Sequence, residues 1–380
     1  MKIEQFQTTK PNFSAEEVEA LRQISPDLIL VFAAVGLLSN PQFLSALIEN
    51  FPQAKLIGCS TAGEIANDGV SDDRAILTAL TFEKLQLRVA ESQIANLDDS
   101  FRSGADLGRQ LAACQPKAVT LFGPGIDVNG SAVIKGVISE LGPDVLISGG
   151  LAGDGGRFQE TLTLAPSGVS PRGLVGVALS GDALIFAHSS FGGWSPFGPA
   201  RKVTRCRGNI LYELDGESAF DLYKKYLGDH ARELPASGLL FPFEMLDANH
   251  SELGLIRTIL GVDEESGSLT LAGDIDPNGY LRLMHANTDD LVDGAETAAH
   301  EILKQLSSSS PGLGILVSCV GRKLVMGDNV DEEVEAVLAV LHAGTILTGF
   351  YSYGEIGPLG EILSCKLHNQ TMTIAYIGES

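Results

Sequence analysis

Cysteine is scarce in this 380-residue chain, and the few present form no pattern. Cys59, Cys114, Cys206, Cys319 and Cys365 are scattered, odd in number and free of C-x-x-C spacing, which argues against both a disulfide framework and a zinc site. The seven histidines show no metal spacing such as H-x-x-x-H. There is no G-x-x-x-x-G-K-S/T, and no clean G-x-G-x-x-G opens a helix, so phosphate binding is poorly supported. Long hydrophobic runs are missing too. The longest, 28–38, is too short to cross a bilayer, and the first residues hold no apolar core like that of a signal peptide. Positive charge is also in short supply: 26 Lys and Arg face 48 Asp and Glu, a net charge of −22. Such a surface repels nucleic acid and anionic membranes. The expectation is a cytoplasmic protein with neither as its partner.

What is present suits a folded core. Hydrophobic residues make up 44% of the chain, and the length suggests two domains. Short β-branched runs alternate with single helices. PDLILVFAA reads as a buried strand and NPQFLSALIENF as a helix with Asn40 as N-cap and Pro41 at its first position. Three strands, a helix and a strand follow. A second unit repeats the plan from GSAVIKGVISELG onward. Each unit runs strand-helix-strand-strand-strand with short final turns, so antiparallel pairing is expected rather than a doubly wound sheet. Gly and Pro cluster at 191–202, the expected domain junction, and SSSSPG at 307–312 reads as a flexible loop. The fold class is α+β, with mixed, largely antiparallel sheets flanked by helices in two related domains.

The stretch LIGCSTAGEI at 56–65 places small residues directly after an apolar run. It has an internal relative: IGCSTAGE (57–64) aligns with ISGGLAGD (147–154), and TLAGDI (270–275) and GFYSYGEI (349–356) are looser matches. The first two copies indicate an internal duplication. Small residues there either leave room for a ligand or serve tight turns and close backbone packing. Glu64, Asp154, Asp274 and Glu355 can receive an ammonium group or the amides of their own turns. Cys59 is a nucleophile only if a base approaches in space; otherwise it is packed. Arg322 in SCVGRK either clamps a carboxylate or lies on the surface. Trp194 either stacks on a ligand or plugs the junction. His188, His250, His285 and His368 are each conceivable haem ligands, though an ordinary role suits any single one better.

LIGCSTAGEI, ISGGLAGDG, FGGWSPFG, GNILYELDGESAFDLYKKYLG, SCVGRKLVMGDNVDEEVEAV, GFYSYGEIGP and LHNQTMT together resemble the FIST family, paired N-terminal and C-terminal FIST domains of prokaryotic signalling proteins. The resemblance covers 26–378 and implies a FIST N-like domain at 27–200 and a FIST C-like domain at 201–380. It implies a cytoplasmic bacterial sensor, without catalysis of its own, that binds a small polar ligand such as an amino acid. The signal would pass to a partner such as a histidine kinase or a cyclic-di-nucleotide enzyme. Two alternatives stand beside it: a haem-based nitric-oxide sensor, which leaves haem open as a cofactor, and an enzyme with Cys59 as nucleophile. The expected ligand-binding set is Gly58, Cys59, Ser60, Thr61, Gly63, Glu64, Asp154, Trp194, Arg322, Tyr353 and Glu355. No catalytic residue or metal ligand is assigned.

Overall fold

The computed structural model describes residues 1–234, 236–306, 311–359 and 362–380. Most of the loop read at 307–312 therefore lies outside the described residues. The fold is α+β with mixed sheets, and the duplication extends to a third copy. Each copy runs edge strand, helix, core strand, further helix, a second core strand parallel to the first, a projecting hairpin and a return strand. The first copy uses Lys2–Thr8, Leu28–Ala33, Lys55–Ser60 and Ala75–Thr81. The second uses Gln86–Gln93, Ala118–Gly123, Leu146–Leu151 and Gly173–Ser180. The third uses Leu184–Phe191, Leu313–Cys319, Ile346–Ser352 and Met372–Glu379. The parallel core pairs are joined through the helices Pro41–Asn50, Gly130–Leu141 and Asp331–Val340. Pro41–Asn50 starts as expected, with the Asn40 side chain accepting from the Gln42 amide at 2.9 Å.

The third copy is interrupted after Phe191. There the chain inserts an eight-stranded antiparallel sheet, from Ser195–Arg207 to Tyr280–His285, before the helix Thr288–Gln305 resumes the plan. The helix Ala219–Leu227 buries Phe220 and Tyr223 against this sheet. The Gly/Pro cluster at 191–202 is thus the entrance to the insertion.

Each projecting hairpin leaves its own sheet and completes another. Glu64–Ala66 with Gly69–Ser71 pairs beside Ile346–Ser352. Thr163–Ala165 with Gly168–Ser170 pairs beside Lys55–Ser60. Gly354–Leu359 with Ile362–His368 pairs beside Leu146–Leu151. The exchange is cyclic, and two of the three hairpins cross the division expected at residue 200.

The core strands read as continuous apolar runs because both of their faces are buried. One face meets helices; Ile29 and Val31, for example, pack with Phe43 and Leu47. The other faces of all three copies meet in one cluster that includes Leu30, Phe32, Phe122, Val177, Ile315 and Phe350. Phe32 stacks on Phe350 at 4.8 Å between centroids, and Phe122 meets both edge-on at 5.4 and 6.0 Å. These three rings tie the three copies together. Small residues beside them make the room: a Cβ on Gly150 would lie 2.6 Å from Val317 and 3.2 Å from Phe350.

Past this cluster the loops after the second core strands converge. Ser60 Oγ donates to the Gly153 carbonyl at 2.7 Å and accepts from the Leu162 amide at 2.9 Å. The Ala62 amide donates to the Tyr351 carbonyl, and the Tyr351 amide to the Gly63 carbonyl, each at 2.8 Å. The carboxylates of these loops are buried. Glu64 accepts from Thr61 Oγ1 and the Arg74 amide, and Glu355 from Ser352 Oγ, the Thr371 amide and Thr371 Oγ1. The two patterns are equivalent: each acid joins the residue three before it to the start of its own copy's return strand. Burial pushes Glu64 up to about 7 and Glu355 up to about 8. Burial also pushes His188 and His368 down to about 4, and neither ring nitrogen of His188 has a partner.

Two predictions follow from this packing. Phe350→Ala should cost about 3–5 kcal/mol in urea unfolding, since its ring touches both other copies; a loss below about 1 kcal/mol would count against the shared core. The second concerns pH. Protonated Glu64 and Glu355 favour the folded state, a contribution complete below about 4.5 and lost as pH rises through 7 and 8. Neutral His188 and His368 favour it above about 6.5, a contribution lost as pH falls toward 4. Urea midpoints should therefore peak between about pH 5 and 6.5 and decline on both sides. A midpoint still rising from pH 6.5 to 8.5 would contradict this.

Candidate functional site

The residues expected to bind a ligand fall into three groups. The first is structural. Gly58 has φ +158, and a Cβ there would lie 1.8 Å from the Val31 carbonyl oxygen of the neighbouring strand. The close approach is by that strand's backbone. Cys59 is fully buried in the shared core, and burial pushes its thiol well up, which removes the thiolate a nucleophile needs. Ser60, Thr61 and Glu64 hold the loop junction described above. Gly63 has φ +137, as its turn requires. The Lys323 ammonium lies against it, hydrogen-bonded to the Ala62 carbonyl at 3.0 Å and paired with Asp72.

The second group lies apart. Arg322 is fully buried, not on the surface. Its Nε and Nη2 both donate to Glu333, at 3.1 and 2.8 Å, and its remaining bonds go to the Gly192 and Leu291 carbonyls. It therefore pairs with neither Glu64 nor Glu355, and no ligand carboxylate reaches it. Glu333 also accepts from Ser318 and Tyr351, making a closed network. Trp194 donates from Nε1 to the Gln370 carbonyl at 2.8 Å and fastens the entrance of the insertion. Glu355 is likewise fully enclosed.

The third group lies at or behind a cleft. Tyr353 donates its hydroxyl to Asp154, which also accepts from the amides of Phe158, Gln159 and Glu160 at 2.8, 2.8 and 3.0 Å. Burial alone would raise Asp154, but these donors draw it below the ordinary carboxylate range. Tyr353 lines a cleft of about 80 Å³ between the second copy and the inserted sheet. Gly125, Gly130, Asn209, Asp274 and Asn369 also line it. Three features converge there. Gly130 opens the helix Gly130–Leu141, whose Asn129 cap accepts only from Ala132, and Asn129 and Gly130 both line the cleft, which places the positive end of the helix dipole beside it. Asp274 brings a carboxylate. Asn369 is 1% exposed, and its Oδ1 has no hydrogen-bond partner, a costly state in a closed interior. A roomier cleft of about 330 Å³, along the helix Pro41–Asn50, has an apolar lining with no comparable set of polar groups.

Sequence reading singled out Asp274 for its Gly-acid motif but left it outside the ligand set, and it did not single out Asn369 or Asn209. Asn369 lay inside LHNQTMT without any pattern marking it; only burial without a partner distinguishes it. Among the described residues no group of His, Cys, Asp and Glu is arranged to hold a metal ion. No helix there is long and apolar enough to cross a membrane. His188 and His368 are each 2% exposed, and no histidine lines either cleft.

An uncharacterized protein of Mycobacterium bovis is 25% identical over 335 residues, covering 83% of this chain and 81% of its own. An uncharacterized protein of Methanocaldococcus jannaschii is 23% identical over 330 residues, covering 78% and 60%. Among solved structures the chain is similar to a cyanuric acid hydrolase from A. caulinodans, with a TM-score of 0.39 and 10% identity over 100% of this chain and 98% of that one. That protein is an enzyme, so the expectation of a chain without catalysis is corrected here and withdrawn. At that similarity no activity transfers to this chain. The FIST N domain matches residues 27–217 and the FIST C domain residues 219–358, and FIST domains are associated with sensing in signal transduction. The chain belongs to the FIST family.

Proposed function

We propose that the chain senses a small zwitterion, a free amino acid or similar molecule, in the cleft lined by Asn369, Asp274 and the start of the helix Gly130–Leu141. The buried Oδ1 of Asn369 without a partner carries this reading, since such an atom is normally satisfied by protein, water or ligand. A ligand carboxylate would meet the helix amides, favoured there by the helix dipole. Its ammonium would donate to Asp274 and to Asn369 Oδ1, and these charge-assisted bonds fix its direction. Tyr353, held by Asp154, forms a wall of the cleft, while Gly63, Glu64 and Glu355 support the loops behind it. The cleft joins the regions proposed as domains, 27–200 and 201–380. Occupancy would stiffen that joint, and a partner such as a histidine kinase or a cyclic-di-nucleotide enzyme would read it.

The test is a thermal-shift screen of the common amino acids. A bound ligand at a hundred times its Kd should stabilise the chain by about 2.7 kcal/mol. Asn369→Leu and Asp274→Asn should melt close to the wild type without ligand and lose the ligand-dependent shift. If no amino acid shifts the wild-type melting, or if both variants keep the full shift, the reading fails.

A further inference from the structure

A second buried arginine is bonded quite differently from Arg322. Arg257 ends the strand Glu252–Arg257 and is 4% exposed. Its Nε donates to the Asp274 carbonyl at 3.1 Å, and its Nη1 to the carbonyls of Ile256 at 3.0 Å and Leu367 at 3.4 Å. Among the described residues no carboxylate forms an ion pair with it, and its Nη2 has no hydrogen-bond partner. Arg322, by contrast, has Glu333 at 2.8 Å. A buried cation bonded to carbonyls alone lacks the direct ion pair that burial normally demands; burial draws Arg257 down to about 10, and the nearby Asp274 carboxylate offsets this only in part. The loop over it is shaped to the guanidinium: Gly273 has φ +126, and a Cβ there would lie 3.0 Å from Nε.

Arg257 lines a cleft of about 290 Å³ on the other side of the Asp274 loop from the cleft described above. Ile134, Ile138, Met245 and Leu255 form an apolar wall, and Lys135 and Lys366 stand at the exposed edge. Both carboxylates on the rim are engaged: Asp274 pairs with Lys135 at 3.4 Å, and Asp276 accepts from the Asn278 amide at 2.9 Å. In a chain of net charge −22 this is a local gathering of cations. One buried guanidinium matches one negative charge, and its planar fork suits a carboxylate.

We infer that this cleft is a second ligand site, for a monocarboxylate with an apolar body, such as a medium-chain fatty acid. The carboxylate meets Nη2 of Arg257, and the body lies along Ile134, Ile138, Met245 and Leu255. The two sites share the Asp274 loop, since Asp274 and Leu367 line both clefts, but Arg257, Ile134, Ile138, Met245 and Leu255 line only this one.

Calorimetric titration of the full chain with octanoate tests it, with octylamine as the charge-reversed control. Octanoate should bind the wild type and octylamine should not. Arg257→Gln should weaken octanoate binding by about tenfold or more. Ile138→Trp, at a half-buried position, fills the apolar part and should weaken it as much while leaving Arg257 in place; it decides the matter if Arg257→Gln does not fold. The amino-acid thermal shift should persist in Ile138→Trp, which separates failure here from failure of the first site. Absence of octanoate heat at millimolar concentration, equal binding of octylamine, or wild-type affinity in Ile138→Trp would overturn the proposal.

Discussion

The structure depends on one constraint: three copies of the same sheet must bring their inner faces and their loops into a single region. Phe32, Phe122 and Phe350 fill its apolar part. Past them the chain has to turn three times in a confined space. A Cβ on Gly153 would lie 2.6 Å from the Ala62 amide nitrogen, and one on Gly125 would lie 1.9 Å from the Ala152 carbonyl oxygen. Backbone meets backbone there, and buried backbone groups need partners. The bonds among Ser60, Gly153, Ala62 and Tyr351 supply them. Small residues after the core strands are therefore a packing requirement before they are anything else.

The cyclic exchange of hairpins follows from the same crowding. Each hairpin, once past the junction, lies against a neighbour's open sheet edge and covers it. An uncovered edge is a site for unwanted pairing, so the exchange both closes the sheets and ties the copies together. The buried acids serve this arrangement. Glu64 and Glu355 anchor the turn after each hairpin to the loop before it, which accounts for the acidic residue that follows glycine in both motifs.

The two proposed ligand sites lie away from this junction, at the seam with the inserted sheet. Along the helix Gly130–Leu141 lie two clefts separated by the Asp274 loop. One offers amide donors, a carboxylate and Asn369; the other offers Arg257 and an apolar wall. A seam between separately built parts is a common place for ligands, and the insertion makes that seam without disturbing the repeated plan.

Some of this was legible in the residues. Alternating apolar runs and helix signals such as Asn40-Pro41 marked the elements, because period and capping are local properties. The small-residue motifs marked the repeated loops, and two of three copies were recognisable as duplicates. The third was not, since its core strands are separated by the insertion and Tyr351 and Tyr353 stand where the first copy has Ser60 and Ala62. Family membership was likewise readable, because it rests on the order of many motifs. Tertiary structure alone decided which polar groups are satisfied. Arg322 and Arg257 look alike in sequence, yet one has Glu333 and the other only carbonyls. Asn369 looks like any loop asparagine until burial leaves its oxygen without a partner. Arg322 and Glu333 are only 11 residues apart, yet the carbonyls that complete the Arg322 shell, and Leu367 beside Arg257, come from distant segments, so pairing and solvent exclusion are not encoded by a local pattern.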